Sequence, residues 1–396
     1  MALEATSDRV KYAYGLETAF GETFGGAYRR MRATGDTLKT SVESISSGEL
    51  RGDAQVADNR RTGVSGGGTI MHEMSVDPGI EEMIEAALRS AAFATPAAAI
   101  AGTIAVTGAG TITDSGNGFV SPAGIAVGDM ILMHGWTTPG NNNVFKVATV
   151  AAGTITTVEQ SLTAEIAGAG KTLQPGTSRA NTAVTTAASF TIEKQKADLA
   201  NDYSGWRGCS VNGFKLRVTS KGMVMIDFDF LIKDEIGVRD GESRPTVSLG
   251  SSYVAQGTAA PFASPSDVTS VLGGSAEYDP VSFDLTFSRN LRPREVATVL
   301  GHKSHGQGTQ TVTGAITLLY EDSTHMDTYL AHTDTGVVYK FVNGALAYAF
   351  EVPLINYTDG DDSSSGKDAD IEARLSWSAK KEVSGGENMI RVWVFA

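Results

Sequence analysis

Chemistry at a protein surface needs a nucleophile, a base or a ligand set at workable spacing, so those residues come first. The six histidines are His72, His134, His302, His305, His325 and His332. None stands at a metal-ligand spacing with cysteine, and there is no His-Glu-x-x-His run and no paired-cysteine motif. His302 and His305 flank Lys303 in a glycine-containing loop. A metal site is one reading of that loop, and a solvated loop is the better one. Cys209 is the single cysteine, so no internal disulfide can form. Without a histidine partner or an electropositive setting it reads as a small buried apolar residue.

Gly63-Val-Ser-Gly-Gly has the spacing of a hydrolase nucleophile elbow centred on Ser65. That elbow needs a strand before it and a helix directly after it. Here a charged loop precedes and a strand follows, so no nucleophile is expected. Gly66-Gly67-Gly68 lies inside a strand pattern and is followed by neither Lys nor helix, so it is no phosphate loop. Glycine there marks a bulge or a close backbone approach. The run Asp359-Gly-Asp-Asp-Ser-Ser-Ser-Gly-Lys-Asp offers calcium-like oxygens. Ser364 stands where a calcium loop needs Gly, and Asp370 where Glu is usual, so an acidic hairpin tip is expected. No nucleophile–base pair or carboxylate dyad emerges. Neither catalysis nor a metal or cofactor is expected.

The elements that hold these residues are mostly short strands. Of 396 residues 45 are Gly and only 19% are charged, and Thr and Ser are plentiful, a mix that favours strands joined by turns. A formal net charge of -13 argues against a protein that grips nucleic acid through its phosphates. The N-terminus has no basic n-region or apolar h-region. The apolar stretch Ala91 to Ala109 is mostly Ala, Gly and Thr, broken by Pro96, so no transmembrane helix is read. Synthesis and folding in a cytoplasm fit these features.

Residues 1–35 read as a weakly ordered N-terminal arm that could order on a neighbouring subunit. From Asp36 a strand alternates Lys39, Ser41 and Glu43 against Leu38, Thr40 and Val42. A charged loop follows from Arg51 to Gly63, carrying Asp53, Asp58, Arg60 and Arg61, then a strand from Val64 to Ser75. Asp77-Pro78 is an N-cap and first helical residue. Ile80, Met83, Ile84, Ala87 and Leu88 then form one apolar stripe of a helix. Residues 95–187 shift to Ala, Gly, Thr and Val in short strands, an inserted small β domain. The host pattern, residues 36–94, resumes over 188–240. In Met223 to Ile232, Val224, Ile226, Phe228 and Phe230 face one way, and Met225, Asp227 and Asp229 the other. Residues 241–265 read as a linker, and 266–396 as a second domain.

The second domain repeats the first. Val281 to Leu291 is an alternating strand, Arg292 to Thr309 a charged loop with Arg294, Glu295, His302 and Lys303, Val312 to Glu321 a strand, and Asp322 opens a short helix. Leu50-Arg51 matches Leu291-Arg292, Val64-Ser-Gly matches Val312-Thr-Gly, and Thr69-Ile70 matches Thr317-Leu318. Val211-Asn-Gly-Phe-Lys-Leu then mirrors Phe350-Glu-Val-Pro-Leu-Ile.

The run from Ser44 through Gly48-Glu-Leu-Arg-Gly-Asp to Gly68-Thr-Ile, with the helix Ile80 to Leu88, resembles the N-terminal signature of siphophage major tail tube proteins. Asn290-Leu-Arg, Thr311 to Leu318 and Phe350 to Ile355 supply the companion pattern. The resemblance implies a mainly β fold: two tandem tail-tube-type β-sandwich domains, each with a flanking α-helix, plus the inserted domain. It implies a self-assembling virion protein, stacked as rings into a hollow tube that passes DNA without specific binding. Six domains close a ring, so three two-domain chains make a homotrimeric, pseudo-hexameric one. Tape measure, tail terminator and distal tail proteins are the implied further partners, and no membrane is. Arg51, Asp53, Asp58, Arg60, Arg61, Arg292, Arg294, Glu295, His302 and Lys303 become candidates for contacts between rings or subunits. Lys39, Ser41 and Glu43 become candidates for the lumen.

Other classes stay open on sequence alone. A decoration or tail terminator protein, or a β-modular adhesin, shares the strand content; long helical tubes would separate a tube protein from these. An outer-membrane barrel needs a signal peptide and outward apolar bands. A carbohydrate-active enzyme needs a carboxylate pair in an aromatic cleft, whereas Trp136, Trp206, Trp377 and Trp393 are dispersed.

Overall fold

The computed structural model describes residues 4–395 except 54, 57, 182–186, 240, 273–275, 279, 364–365, 368–369 and 383–387. It is mainly β, with two short helices. The expectation of weak order over residues 1–35 is corrected. β1 (Val10–Leu16), β2 (Ala27–Met31) and β3 (Ala33–Asp36) form there. β1 pairs along its whole length with Phe190–Lys196, and Tyr12, Tyr14 and Tyr28 are buried. Three buried aromatic side chains outweigh the missing periodicity.

β4 (Lys39–Ser46) and β5 (Asn59–Glu73) make a hairpin. The charged loop expected over Arg51–Gly63 is shorter than its composition suggests, because Asn59–Gly63 already extend β5. Arg60 and Arg61 stand opposite Ile45 and Ser44 on a solvated ribbon, where charge costs nothing to expose. The triple glycine is a close approach, as expected. Gly68 has φ +144, and a Cβ there would lie 2.5 Å from the Thr37 carbonyl oxygen. α1 (Pro78–Leu88) starts where its cap predicts, with the Gly79 N–H donating to the Asp77 carboxylate at 2.7 Å. Ile80, Met83, Ile84, Ala87 and Leu88 are all buried. The buried Arg289 guanidinium donates to the carbonyls of Ala87 and Leu88, answering acceptors the helix end leaves over.

The Ala- and Thr-rich region forms its own sheet. β6 (Ile100–Ala101), β7 (Ile104–Gly108), β8 (Thr111–Asp114), β9 (Met130–His134), β10 (Val144–Ala151), β11 (Thr154–Thr157) and β12 (Thr172–Pro175) run in the order β6-β12-β9-β10-β11-β8-β7. β6 and β7 are consecutive in the chain yet stand at opposite ends of that order, so the seven strands nearly close a barrel. Ile112, Phe119, Trp136, Phe145, Ile155 and Leu173 fill it. β13 (Thr177–Ala180) leaves the barrel and pairs with Arg391–Val394.

The remaining strands of the first half are β14 (Phe190–Lys196), β15 (Tyr203–Thr219), β16 (Met225–Ile232), β17 (Asp234–Glu235) and β18 (Ser252–Val254). The stretch 241–265, expected as a linker, is anchored. β18 pairs in parallel with β2, and Phe262 is 1% exposed. The second half contains β19 (Val268–Leu272), β20 (Ala276–Tyr278), β21 (Pro280–Ser288), β22 (Arg292–Arg294), β23 (Ser304–Gly306), β24 (Thr311–Leu319), α2 (Thr324–Leu330), β25 (Thr335–Asn343), β26 (Leu346–Asp361), β27 (Glu372–Ala379) and β28 (Arg391–Phe395). The loop expected over Arg292–Thr309 thus contains a small hairpin, β22–β23.

Within a nineteen-stranded sheet, one antiparallel run carries the design: β4-β5-β16-β15-β21-β24-β27-β26. Alternate residues send Ile70, Phe228, Leu216, Leu285, Ile316 and Leu375 into a core shared with α1. The barrel docks through Met130, Leu132 and Val144 on Ala347, Ala349, Trp393 and Phe395. Two ion pairs cross beside that seam. Lys340 and Glu159 meet at 3.0 Å with 0% and 2% of their side chains exposed, and Lys146 meets Glu351 at 2.6 Å.

Candidate functional site

The eight-stranded run has a dry face and a polar face. The polar face is built by the residues between the core positions. Met225, Asp227 and Asp229 lie out of the core between buried Ile226, Phe228 and Phe230, as the alternation predicts. Lys215 and Arg217 follow the same rule on β15, and Asp284, Thr286 and Ser288 on β21. Charges at the centre of this face are paired. Arg217 meets Asp227 at 2.6 Å, Lys215 meets Asp284 at 3.2 Å, and the Asn212 amide donates to Asp229 at 2.8 Å. Burial nevertheless raises the Asp227 and Asp229 carboxyls above the ordinary value.

Lys39, Ser41 and Glu43 lie exposed on β4, opposite Gly67, Ser65 and Gly63. Gly67 in turn pairs with Leu231, on the same side of the sheet as Asp227 and Asp229. The three lumen candidates therefore share the polar face. Thr40 points to the dry side, where the Trp206 indole donates to its hydroxyl at 3.1 Å.

The two candidate contact loops meet at one end of the sheet. The Val64 N–H donates to the Leu300 carbonyl at 2.9 Å. Glu43, Gly63, Val64, Glu295 and Leu300 line one cavity there. The expected solvated loop around His302 is corrected: His302 is 2% exposed. Its Nδ1 lies 3.1 Å from His305 Nε2, and His305 Nδ1 lies 2.9 Å from the Ser210 hydroxyl of β15. Burial, then the neighbouring His302, push the His305 pKa down to about 3. The Lys303 N–H donates to the Arg294 carbonyl at 2.8 Å, and Arg292 and Arg294 are exposed. Arg61 reaches the Val238 carbonyl at 2.6 Å. Arg51 pairs with Asp53 at 3.2 Å and Arg60 with Asp58 at 2.5 Å, out on the β4–β5 connection.

Ser65 stands mid-strand in β5, not on an elbow. Cys209 is wholly buried, and burial raises its thiol well above the ordinary value, so it is no nucleophile. Among the described residues no three His, Cys, Asp or Glu side chains stand together to hold a metal. The acidic run from Asp359 falls partly outside the described residues. Sequence reasoning missed the Lys340–Glu159 pair: Lys340 sits in Val-Val-Tyr-Lys-Phe-Val, and nothing there signals burial at 0% exposure. The partners of the charged positions on β15 were not legible either.

What the arrangement offers is a wide half-apolar sheet with paired charges at the centre of its wet face. No curated protein matches the chain. The family described as phage tail tube protein matches residues 7–379. The chain therefore belongs to the phage tail tube protein family, a structural family and not an enzyme, and forms the tail tube of the virion.

Proposed function

We propose that this chain carries two tube domains in tandem, and that three copies close a pseudo-hexameric ring of a siphophage tail. The observation that carries this reading is the eight-stranded run, which divides into two blocks of one plan. In the first block β4 and β5 precede α1, and β15 and β16 follow it. In the second, β21 and β24 precede α2, and β26 and β27 follow it. Each block has the order first, second, last, third strand: β4-β5-β16-β15, then β21-β24-β27-β26. The third strand of each bulges at one place, between Val211 and Gly213 and between Tyr357 and Asp359.

Three such runs give ~24 strands; at ~4.8 Å spacing and ~40° tilt the ring is roughly 48 Å across between backbones, enough for a DNA duplex after side chains are added. In this ring the polar face lines the bore. Its carboxylates repel the phosphate backbone, and DNA slides without sticking. The loops around Arg51–Gly63 and Arg292–Thr309 contact the next ring, and the barrel projects outward as decoration. Tape measure, terminator and distal tail proteins meet the tube at its core and ends.

Cryo-electron microscopy of assembled tubes tests this. Stacked rings of three chains with the β15–β21 face inward are expected. Rings of six chains would overturn the tandem reading and leave the tube standing.

A further inference from the structure

The eight-stranded run has two ends. β4 pairs with β5 on one side only, and the β26 segment beyond Ile355 pairs with β27 on one side only, among the described residues. Exposed unpaired edges are templates for another strand. We propose that the β26 edge of one copy takes the β4 edge of a second copy in one defined antiparallel register, with Asp361 opposite Lys39. The proposal rests on the tandem-domain reading above.

The register comes from the junction the chain already contains. β15 and β21 join the two blocks, and the β26–β4 contact is that junction repeated between copies. Rows across the sheet fix the equivalences. In the first block Ser210, two residues before the bulge residue Asn212, heads the row Ser210, Leu231, Gly67, Lys39. In the second block Asn356, two residues before the bulge residue Thr358, heads the row Asn356, Ser378, Thr313, Thr286. Lys39 therefore holds the place of Thr286, and Ser41 that of Ser288.

At the internal junction Thr286 faces Lys215 and Ser288 faces Gly213. Lys215 is three residues past its bulge residue, and Gly213 one. The same counts from Thr358 give Asp361 and Asp359. Lys39 of one copy then faces Asp361 of the next, Ser41 faces Asp359, and the Val42 N–H donates to the Thr358 carbonyl as Arg289 donates to Asn212.

Two independent features agree with this register. First, the charges are complementary: β4 presents Lys39, and the β26 edge presents Asp359 and Asp361, all exposed. Second, the faces agree. Gly360 lies on the dry side, where an added Cβ would meet the Tyr329 ring at 2.8 Å, so Asp359 and Asp361 lie on the polar face with Lys39 and Ser41. The pair is also well placed for side-chain contact. Arg289 bonds Asn212 and Ser220 bonds Val281, so the β15–β21 positions that exchange backbone bonds are the even ones of β15. Lys215–Thr286 and Gly213–Ser288 are the closer, non-hydrogen-bonded kind, with Cα atoms ~4.5 Å apart.

Cysteine cross-linking of assembled tubes tests the register. Ser41→Cys with Asp359→Cys in one chain is expected to move most of the protein, on mild oxidation, into a covalent ladder that ends at three chains. Ser41→Cys with Asp361→Cys, two residues out of register, is expected to stay below a tenth of that yield. Ser41→Cys alone and Asp359→Cys alone, each still carrying buried Cys209, set the background. A higher yield from the offset pair, or none from either pair in intact tubes, overturns the register and leaves the tube reading intact. A ladder that runs to six chains keeps the register and overturns the trimeric ring. As a second arm, Lys39→Asp alone and Asp361→Lys alone are expected to slow tube growth at least tenfold, and the double exchange to restore it. Full growth of either single variant, or no restoration, overturns the pairing.

Discussion

The barrel of residues 100–175 and the eight-stranded wall are both antiparallel sheets, yet they treat their edges in opposite ways. The barrel brings β6 and β7 to the two ends of its strand order, fills its inside with Ile112, Phe119 and Phe145, and nearly closes on itself. The wall stops at β4 and at the β26 segment beyond Ile355, each paired on one side only among the described residues. A sheet that satisfies its own edges can be carried as cargo. A sheet that does not is a template for a further strand, and in the ring proposed above that strand comes from another copy.

The comparison is easiest to break at the seam between the two regions. Lys340 of β25 and Glu159 beyond β11 are joined at 3.0 Å with almost no exposure. Removing one member of a buried pair strands the other charge in a dry site. Lys340→Met is therefore expected to destabilise the chain by about 3–5 kcal/mol. Lys340→Met with Glu159→Leu should recover most of that. Thermal or urea unfolding of the two variants reads the difference. Equal losses in both would mean that the seam is held by the Trp393 and Phe395 packing and not by charge.

A smaller effect is expected within the wall, where β23 leans on β15 through His305 and Ser210. The folded His305 titrates at about 3 and an unfolded histidine at about 6.5. The folded pKa is the lower one, so this group's contribution is complete above pH 6.5 and is lost as pH falls toward 3. Its greatest slope is about 1.4 kcal/mol per pH unit. His305→Gln should flatten the acid limb of stability against pH between those values. An unchanged limb would place the acid sensitivity in other buried groups, His72 first, which burial lowers to about 4.

How much of this was readable in the sequence follows the same division. The β16 alternation, the Asp77 cap and the α1 stripe were all legible, because each is a local pattern. The sheet order was not, because pairing between β15 and β21 joins residues about seventy positions apart. Under the tandem-domain reading proposed above, the internal repeat takes another register than the one read in the sequence. The rows put Gly67 with Thr313, hence Ile70 with Ile316 and not with Leu318, and the bulges put Val211 with Tyr357 and not with Phe350. The slip in β5 is two residues, which keeps every side chain on its face and so leaves no trace in the hydrophobic pattern. The buried tyrosines of β1 and β2 were missed because no period announces a short strand that covers a sheet edge.

The smallest expected effect lies on the wall's polar face, and there the contrast with the barrel interior is sharpest. Phe145 inside the barrel is wholly buried, and Phe145→Ala should cost about 3–5 kcal/mol through lost transfer energy and a cavity. Arg217 is 44% exposed and pairs with Asp227, 12% exposed, so Arg217→Ala should cost about 1 kcal/mol or less. Its sign with pH is fixed by Asp227. Burial already raises that carboxyl above its ordinary value, and Arg217 is the main group holding it down. Removing Arg217 raises it further, which penalises the folded state only where the carboxyl must ionise. The Arg217→Ala loss should thus be larger at pH 7 than at pH 5. Urea midpoints at the two pH values measure it, and a loss that grew on acidification would mean that Arg217 acts through its aliphatic stem on the sheet and not through the charge of Asp227.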